Sequence, residues 1–514
     1  MPKSLRYYLL PILSGIFIGT SYIPFPPWAM FFCLVPLWLF WRKERSYKKI
    51  FFAGWITQFV LNLIGFHWIA YTVTEFGQLP WSIGFAVLFL FCTLAHLYYP
   101  LAGVLWKWLC QKFQLNDYYS IVLLPPLFIF CERLYPFLFY WHFGYPWLWT
   151  RLPGYHMAEW IGFFGLNFIT LIINALLVFF WLERKPKQWL QRYSLTALGL
   201  LVLVNGLGFY ISTNLQPTDE SMKVLVVQGN IGNLDKIQAS NGVGSIDHIV
   251  DLYLNLTRQG LEETPGVDLV VWPETAFPVT LNKGYMGRHR RQLARLSTEY
   301  NVQILTGSYL RKPFNKQVYN SLVLMDGSED LHSYEKTVLL AFGEYLPFAQ
   351  YFPQLKKMLP MVSDFGRGGG PKVFPSRRAQ IGAQICYEGL FDEFSTSLQE
   401  KGAQIIVNVT NDSWFGYPFE PFQHMYMTLA RAVENRIPLV RVTNTGISTV
   451  IEQNGQVHEF SPRDEEWYRV YEVPFHSTPP GTFYAKLSNK WPSILFVLMA
   501  LIIARGRIAR TGKH

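Results

Sequence analysis

The chain has 514 residues, of which 50% are hydrophobic, 17% aromatic and only 16% charged, and its mean hydropathy is +0.14. Charged residues make up about 25% of an ordinary soluble protein, so the composition argues against one. The formal net charge of +10 comes largely from short basic loops beside apolar runs; these suit anionic lipid headgroups and give no nucleic-acid signal.

A membrane-spanning helix needs about 20 predominantly apolar residues. Candidate spans start near Tyr7, Trp28, Ile50, Trp81, Tyr119, Met157, Leu195 and Trp491, which makes eight. The second (WAMFFCLVPLWLFW) and the fifth (YSIVLLPPLFIFC) are short, and each is open to reading as a re-entrant or interfacial segment. Loops rich in Lys and Arg stay in the cytoplasm. If eight spans alternate, the clusters MPKSLR, RKERSYKK, KWLCQK, ERKPKQWLQR and ARGRIARTGKH all fall on that side. The pattern predicts cytoplasmic termini, a seven-helix membrane domain over 1–215, and an eighth span with a basic tail over 488–514. The first span has no clear small-residue cleavage site and is expected to be retained.

Between spans seven and eight, over 222–480, short β-branched runs such as KVLVVQGNI, DLVVWPETA, AQIGAQICYEG and AQIIVNVTND alternate with amphipathic stretches such as QHMYMTLARAVENR. Alternating strands and helices predict a layered α/β domain. By the charge count it lies outside the cytoplasm, which is the periplasm in a bacterium with two membranes. Cys33, Cys92, Cys110 and Cys131 lie in or beside the spans, so Cys386 is the one cysteine of this domain. Without a disulfide partner it is either a buried inert thiol or one retained for chemistry.

Metal motifs (HExxH, paired CxxC) and a G-x-S-x-G elbow are absent from the sequence, and GRGGGPK at 366–372 lacks the ending of a phosphate loop. A reactive thiol needs a nearby cation or base. In DLVVWPETAFP, Glu274 follows an apolar run and precedes a turn; in YEKTVLLAFGEYLP, Lys336 sits among apolar residues with Glu344 after it. Taken singly, Glu274 reads equally as a solvated strand-end carboxylate and Lys336 as a surface charge.

Taken in order, Glu in VVWPETAFP, Lys in YEKTVLLAFGEYLPF and Cys in IGAQICYEG resemble the nitrilase (carbon-nitrogen hydrolase) superfamily. VVQGNI, NVTNDSWFG and QHMYMTLARAVENRIPLVRVTNTGIS fit the same pattern. Set between a multi-span half and one last span, the likeness narrows to the bacterial apolipoprotein N-acyltransferases. The resemblance implies a four-layer αββα sandwich with a Glu-Lys-Cys triad: Glu274 as general base, Lys336 as oxyanion stabiliser and Cys386 as nucleophile. It further implies a phospholipid acyl donor, a diacylglyceryl apolipoprotein acceptor, no cofactor and a site in the inner membrane facing the periplasm. Glu344 and Glu388 would hold Lys336 charged and oriented, Glu388 being open also to a role as a salt bridge supporting the elbow, and the Tyr387 backbone N–H would be a second oxyanion donor. Trp414 and Phe415 are read as acyl-pocket or core aromatics, His424 as structural, and 345–370 as an arm that covers the acyl chain or as a packed loop. Ile237 departs from the pattern, since a Trp often follows the QGNI motif. Two other classes stay open: a membrane-anchored amidase using water, and a transporter or receptor whose path would be marked by the few polar residues of the spans. Nothing in the sequence demands more than a monomer.

Overall fold

The computed structural model describes residues 6–75, 77–182, 188–232, 236, 246–281, 287–312, 317–327, 332–359, 362–416 and 419–511. The chain divides into two compact units: 1–214 with 417–423 and 486–514, and 215–416 with 424–485.

The first unit is helical and apolar. Among the described residues, Trp81–Lys112, Pro153–Leu182, Arg192–Thr213 and Phe483–Ala509 are long and apolar enough to cross a membrane. A fifth span results if Tyr47–Gly65 and Trp68–Glu75, bent by 58°, count as one. The other expected spans take shorter forms. Leu9–Gly19 has 11 residues, and the stretch from Trp28 is a series of turns before the nine-residue helix Val35–Lys43. The stretch from Tyr119 splits between Asp117–Val122 and Leu124–Leu134, where Pro125 and Pro126 occupy the first turn of the second helix. Proline fits there because its missing N–H has no intrahelical partner.

Broken helices expose backbone groups that a membrane interior cannot solvate, at several kcal/mol each. Buried polar side chains take up these groups. Asn174 accepts from the Leu34 N–H at 2.9 Å and donates to the Met30 carbonyl at 3.0 Å. Ser14 accepts from Leu37 N–H, Gln58 from His96 N–H, and Asn167 from Phe143 N–H.

The second unit holds two sheets. The first has strands β1 (Glu220–Gln228), β2 (Leu269–Val271), β3 (Phe277–Thr280), β4 (Gln303–Arg311), β5 (Val318–Met325), β6 (His332–Glu335) and, at its far edge, β12 (Trp467–Phe475). Its order is β12-β1-β2-β4-β5-β6 with β3 beside β4. The second sheet contains β7 (Val373–Pro375), β8 (Gln380–Ile385), β9 (Ile405–Thr410), β10 (Leu439–Thr443) and β11 (Thr449–Ile451), in the order β11-β10-β9-β8-β7. The inner strands β1, β2 and β4, and β8, β9 and β10, pair in parallel. Parallel strands covered on both faces read as unbroken apolar runs, which is why KVLVV and IIVNV announce them.

Helices Ile246–Glu263 and Gly287–Glu299 close the outer face of the first sheet around Leu225, Val270, Trp272, Leu293 and Ile304. Helix Asp392–Glu400 packs on β8, and Thr428 of helix Glu420–Asn435 meets Arg441 of β10 at 3.5 Å. The sheets face each other: Gln228 at the end of β1 accepts hydrogen bonds from Thr443 of β10 and from Ser448. The layers therefore run helix, sheet, sheet, helix.

Candidate active site

β6 is antiparallel to β5, which is antiparallel to β4, so β6 runs with β2 and both end on the same side of the sheet. Carboxyl ends of parallel strands are where α/β sheets carry their sites. Glu274 follows β2 by three residues, and Lys336 follows β6 directly. The Glu274 turn continues through Thr275 at φ 54°. Gly307 of β4 lets it come close, since a Cβ there would sit 2.4 Å from the Pro273 carbonyl oxygen and 2.7 Å from Glu274 Cα. Buried Lys236 Nζ lies 3.2 Å from Thr275 Oγ1 and 3.5 Å from the Glu274 carbonyl oxygen. Burial pushes Lys236 down to about 7, against the pull of Glu274.

The Lys336 backbone N–H donates to the Asn320 carbonyl at 2.8 Å, extending the β5–β6 ladder by one rung. Its ammonium lies 2.8 Å from Glu344 Oε1 and 3.3 Å from Glu274 Oε1. Asn320 Nδ2 spans the same two oxygens, at 3.0 Å and 2.7 Å. The Leu340 N–H donates to the other Glu344 oxygen at 2.9 Å. Burial works against the charge on Lys336, but Glu274 and Glu344 outweigh it and hold its pKa well above the usual lysine value.

Cys386 ends β8 at φ 51°, a left-handed conformation uncommon for any residue but glycine. The strand turns there into the tight helix Cys386–Leu390. Burial, and next the Glu274 carboxylate, push the thiol pKa well up; Lys336 pulls the other way. The resting sulfur is therefore a protonated thiol that feels both partners.

Of its two expected roles, Glu388 has the contacts of the second, support of the elbow, and the Lys336 charge reaches it as well. It accepts from Tyr334 Oη and Thr337 N–H (2.6 Å each), from Val338 N–H (3.0 Å) and from Ile385 N–H (2.8 Å). Its short turn directs the carboxylate back onto backbone amides, so it ties the segment after Lys336 to the start of the elbow. Burial raises its pKa to about 7, opposed by Tyr334 and Lys336. The Tyr387 ring is buried edge-on against Phe391, Phe415 is buried and Trp414 half-buried. Along the arm, Phe348, Tyr351 and Phe352 are exposed. Ile237 lies outside the described residues.

Behind Cys386, Asp412 sits between His424 Nδ1 at 3.1 Å and Arg441 Nη2 at 2.8 Å. Asp412 and His424 offer atoms of the kind that bind cations, but the guanidinium already answers the carboxylate. The sequence reading missed Lys236, Asn320, Asn408 and Arg441. The available signal was a polar residue inside or at the head of a buried apolar run, as in NSLVLM, IIVNVT and PLVRVT.

Two stacked sheets with parallel inner strands and helices on their outer faces agree with the carbon-nitrogen hydrolase class that the sequence matches. Residues 223–478 match the family described as carbon-nitrogen hydrolase, and 14–176 match the apolipoprotein N-acyltransferase N-terminal domain. An apolipoprotein N-acyltransferase from Bdellovibrio bacteriovorus is 46% identical over 97% of this chain and 93% of its own. One from Geobacter metallireducens is 29% identical over 90% and 88%. Among solved structures, an amidase from Nesterenkonia sp. covers 54% of this chain and 98% of its own at 18% identity and a TM-score of 0.39. The chain belongs to the apolipoprotein N-acyltransferase family and is an acyltransferase enzyme.

Proposed function

We propose that the enzyme moves an acyl chain from a membrane phospholipid to the α-amino group of a diacylglyceryl-cysteine at a lipoprotein N-terminus, through a thioester on Cys386. Glu274 takes the thiol proton as sulfur attacks the ester carbonyl. Lys336 and the Tyr387 backbone N–H stabilise the oxyanion, where one donor is typically worth ~3 to 4 kcal/mol. Collapse expels the lysophospholipid oxygen, which regains the proton from Glu274. In the second half Glu274 removes a proton from the acceptor amine, the nitrogen attacks the thioester, and the sulfur leaves and is reprotonated.

The observation that carries this reading is a buried thiol at φ 51° within the electrostatic reach of Glu274 and of the Lys336 ammonium, which lies 3.3 Å from Glu274 and 2.8 Å from Glu344. A carboxylate alone would only raise the thiol pKa; the ammonium stabilises the thiolate once formed. Both substrates carry acyl chains, at ~0.8 kcal/mol per CH₂ exposed to water, which accounts for an apolar helical unit on the same chain. The catalytic unit faces the periplasm, both termini are cytoplasmic, eight segments enter the bilayer, and the enzyme works as a monomer. The exposed aromatics of the 345–370 arm, with Trp414 and Phe415, meet the acyl chain.

Mass spectrometry after incubation with phosphatidylethanolamine tests the scheme. An acyl mass on the Cys386 peptide is expected, absent in Cys386→Ser and discharged by a diacylglyceryl peptide with a free amine. Release of free fatty acid without transfer would refute it and favour hydrolysis.

A further inference from the structure

The peptide group between Cys386 and Tyr387 has two ends. A trans peptide points its C=O and N–H in opposite directions, so whatever grips the Cys386 carbonyl lies away from the side that the Tyr387 N–H serves. Asn408 Nδ2 donates to that carbonyl at 3.2 Å.

The donor is not free to turn. Asn408 Oδ1 accepts from Arg441 Nη1 at 3.2 Å, which fixes the amide with its nitrogen toward Cys386. Arg441 Nη2 reaches Asp412 Oδ2 at 2.8 Å and His424 Nδ1 at 3.3 Å, while Thr410 Oγ1 donates to Asp412 Oδ1 at 3.3 Å. Gly446 leaves the space the carboxylate fills, since a Cβ there would fall 2.2 Å from Asp412 Oδ2. Arg441, Asp412 and His424 are all buried.

We propose that Arg441 and Asn408 form a buried relay that polarises the Cys386–Tyr387 peptide group and so strengthens the Tyr387 N–H as an oxyanion donor. Hydrogen bonds in a chain reinforce one another by roughly 10–30% per bond, and electron density drawn to the carbonyl oxygen makes the amide proton of the same unit more positive. Asn408 is thus a positioning residue that acts on the reaction through a peptide bond. The inference rests on the assignment of Tyr387 N–H to the oxyanion in the acyl-enzyme scheme.

Two reactions of one sulfur separate this from a structural role. Acylation by phosphatidylethanolamine in detergent micelles passes through an oxyanion; alkylation by iodoacetamide is a displacement that forms none. In the full-length enzyme, Asn408→Leu should slow single-turnover release of lysophospholipid about 5-fold, a fraction of the 10²–10³ that a whole oxyanion donor is worth. Its alkylation rate should stay within about twofold, since the displacement forms no oxyanion. Asn408→Asp, which turns the donor into an acceptor, should show the same selective defect. Equal slowing of both reactions in both variants, or acylation at the unaltered rate in both, would overturn the relay. If the unaltered enzyme alkylates but takes up no acyl group, the acyl-enzyme scheme itself falls, and the relay with it.

Discussion

The two units bury polar side chains to different ends. In the helical unit Asn174, Ser14, Gln58 and Asn167 each bond a backbone group left open where a helix breaks. In the sandwich unit Glu274, Asn320, Lys336 and Glu344 bond mainly one another, and Asp412, His424 and Arg441 do the same. A buried polar residue is thus to be read by its partner. Bonded to backbone, it completes a fold; bonded to another ionisable side chain, it stores a charge arrangement that chemistry can use. Of the polar residues in the expected spans, His67, Asn174 and Asn205 bond backbone, while His96 bonds Asn62 and Glu132 bonds Asn167.

The largest effect should come from breaking the second kind. Cys386→Ala, Glu274→Gln and Lys336→Met should each lower N-acyl transfer by at least ~10³-fold, as loss of a nucleophile or its base does, with the folded fraction retained in a thermal melt. Residual transfer within tenfold of normal in any of them would remove that residue from the scheme.

The coupling can be sharpened by following Cys386 alkylation against pH. The Glu274 carboxylate opposes the thiolate and Lys336 favours it. Glu274→Gln should therefore move the midpoint to lower pH and Lys336→Met to higher pH. Shifts of the same sign would mean that the sulfur does not feel the pair as described.

Asn320→Leu removes the amide that spans Glu274 and Glu344, and kcat should fall ~10- to 100-fold, the scale of a lost hydrogen bond to a charged group. Asn320→Asp, which sets a third carboxylate between them, should be worse. An Asp variant as active as the Leu variant would count against electrostatic bridging.

In the helical unit, Asn174→Leu frees the Leu34 N–H and the Met30 carbonyl at a cost of about 1–3 kcal/mol. It should lower the melting temperature while leaving turnover per folded molecule unchanged. A fall in turnover at constant stability would erase the contrast between the units.

The smallest effect concerns Glu388. Its folded pKa of about 7 lies above the usual glutamate value of 4.5, so its contribution to stability is present in full below the lower value and lost as pH rises through the upper one. Glu388→Gln should flatten that slope in denaturation curves taken between about pH 4.5 and 7.

How much of this was legible depended on whether a signal was local. The apolar runs that make β1, β2, β8 and β9 are contiguous, and the candidates Glu274 and Cys386 sit just past the ends of such runs, whereas Lys336 follows the polar strand HSYE and carried no such local signal. The helix breaks were not legible, because Asn174 repairs the backbone of Leu34 from far along the chain. Asn320, Asn408 and Arg441 were hidden inside strands whose composition is otherwise apolar, and only sheet pairing shows what they face. Glu388 was placed at the elbow, but the direction of its carboxylate follows from a turn that sequence spacing does not specify.

The isolation and protonation of Cys386 bear on how long the enzyme lasts. Peroxides oxidise thiolates far faster than thiols, and a sulfenic acid with no second sulfur at hand proceeds to irreversible sulfinic acid. Cys386 is the one cysteine of its unit, so no disulfide can rescue it there. A raised thiol pKa leaves less of the sulfur as thiolate and so slows its reaction with peroxide. In the proposed scheme the burial that calls for a base also slows oxidation.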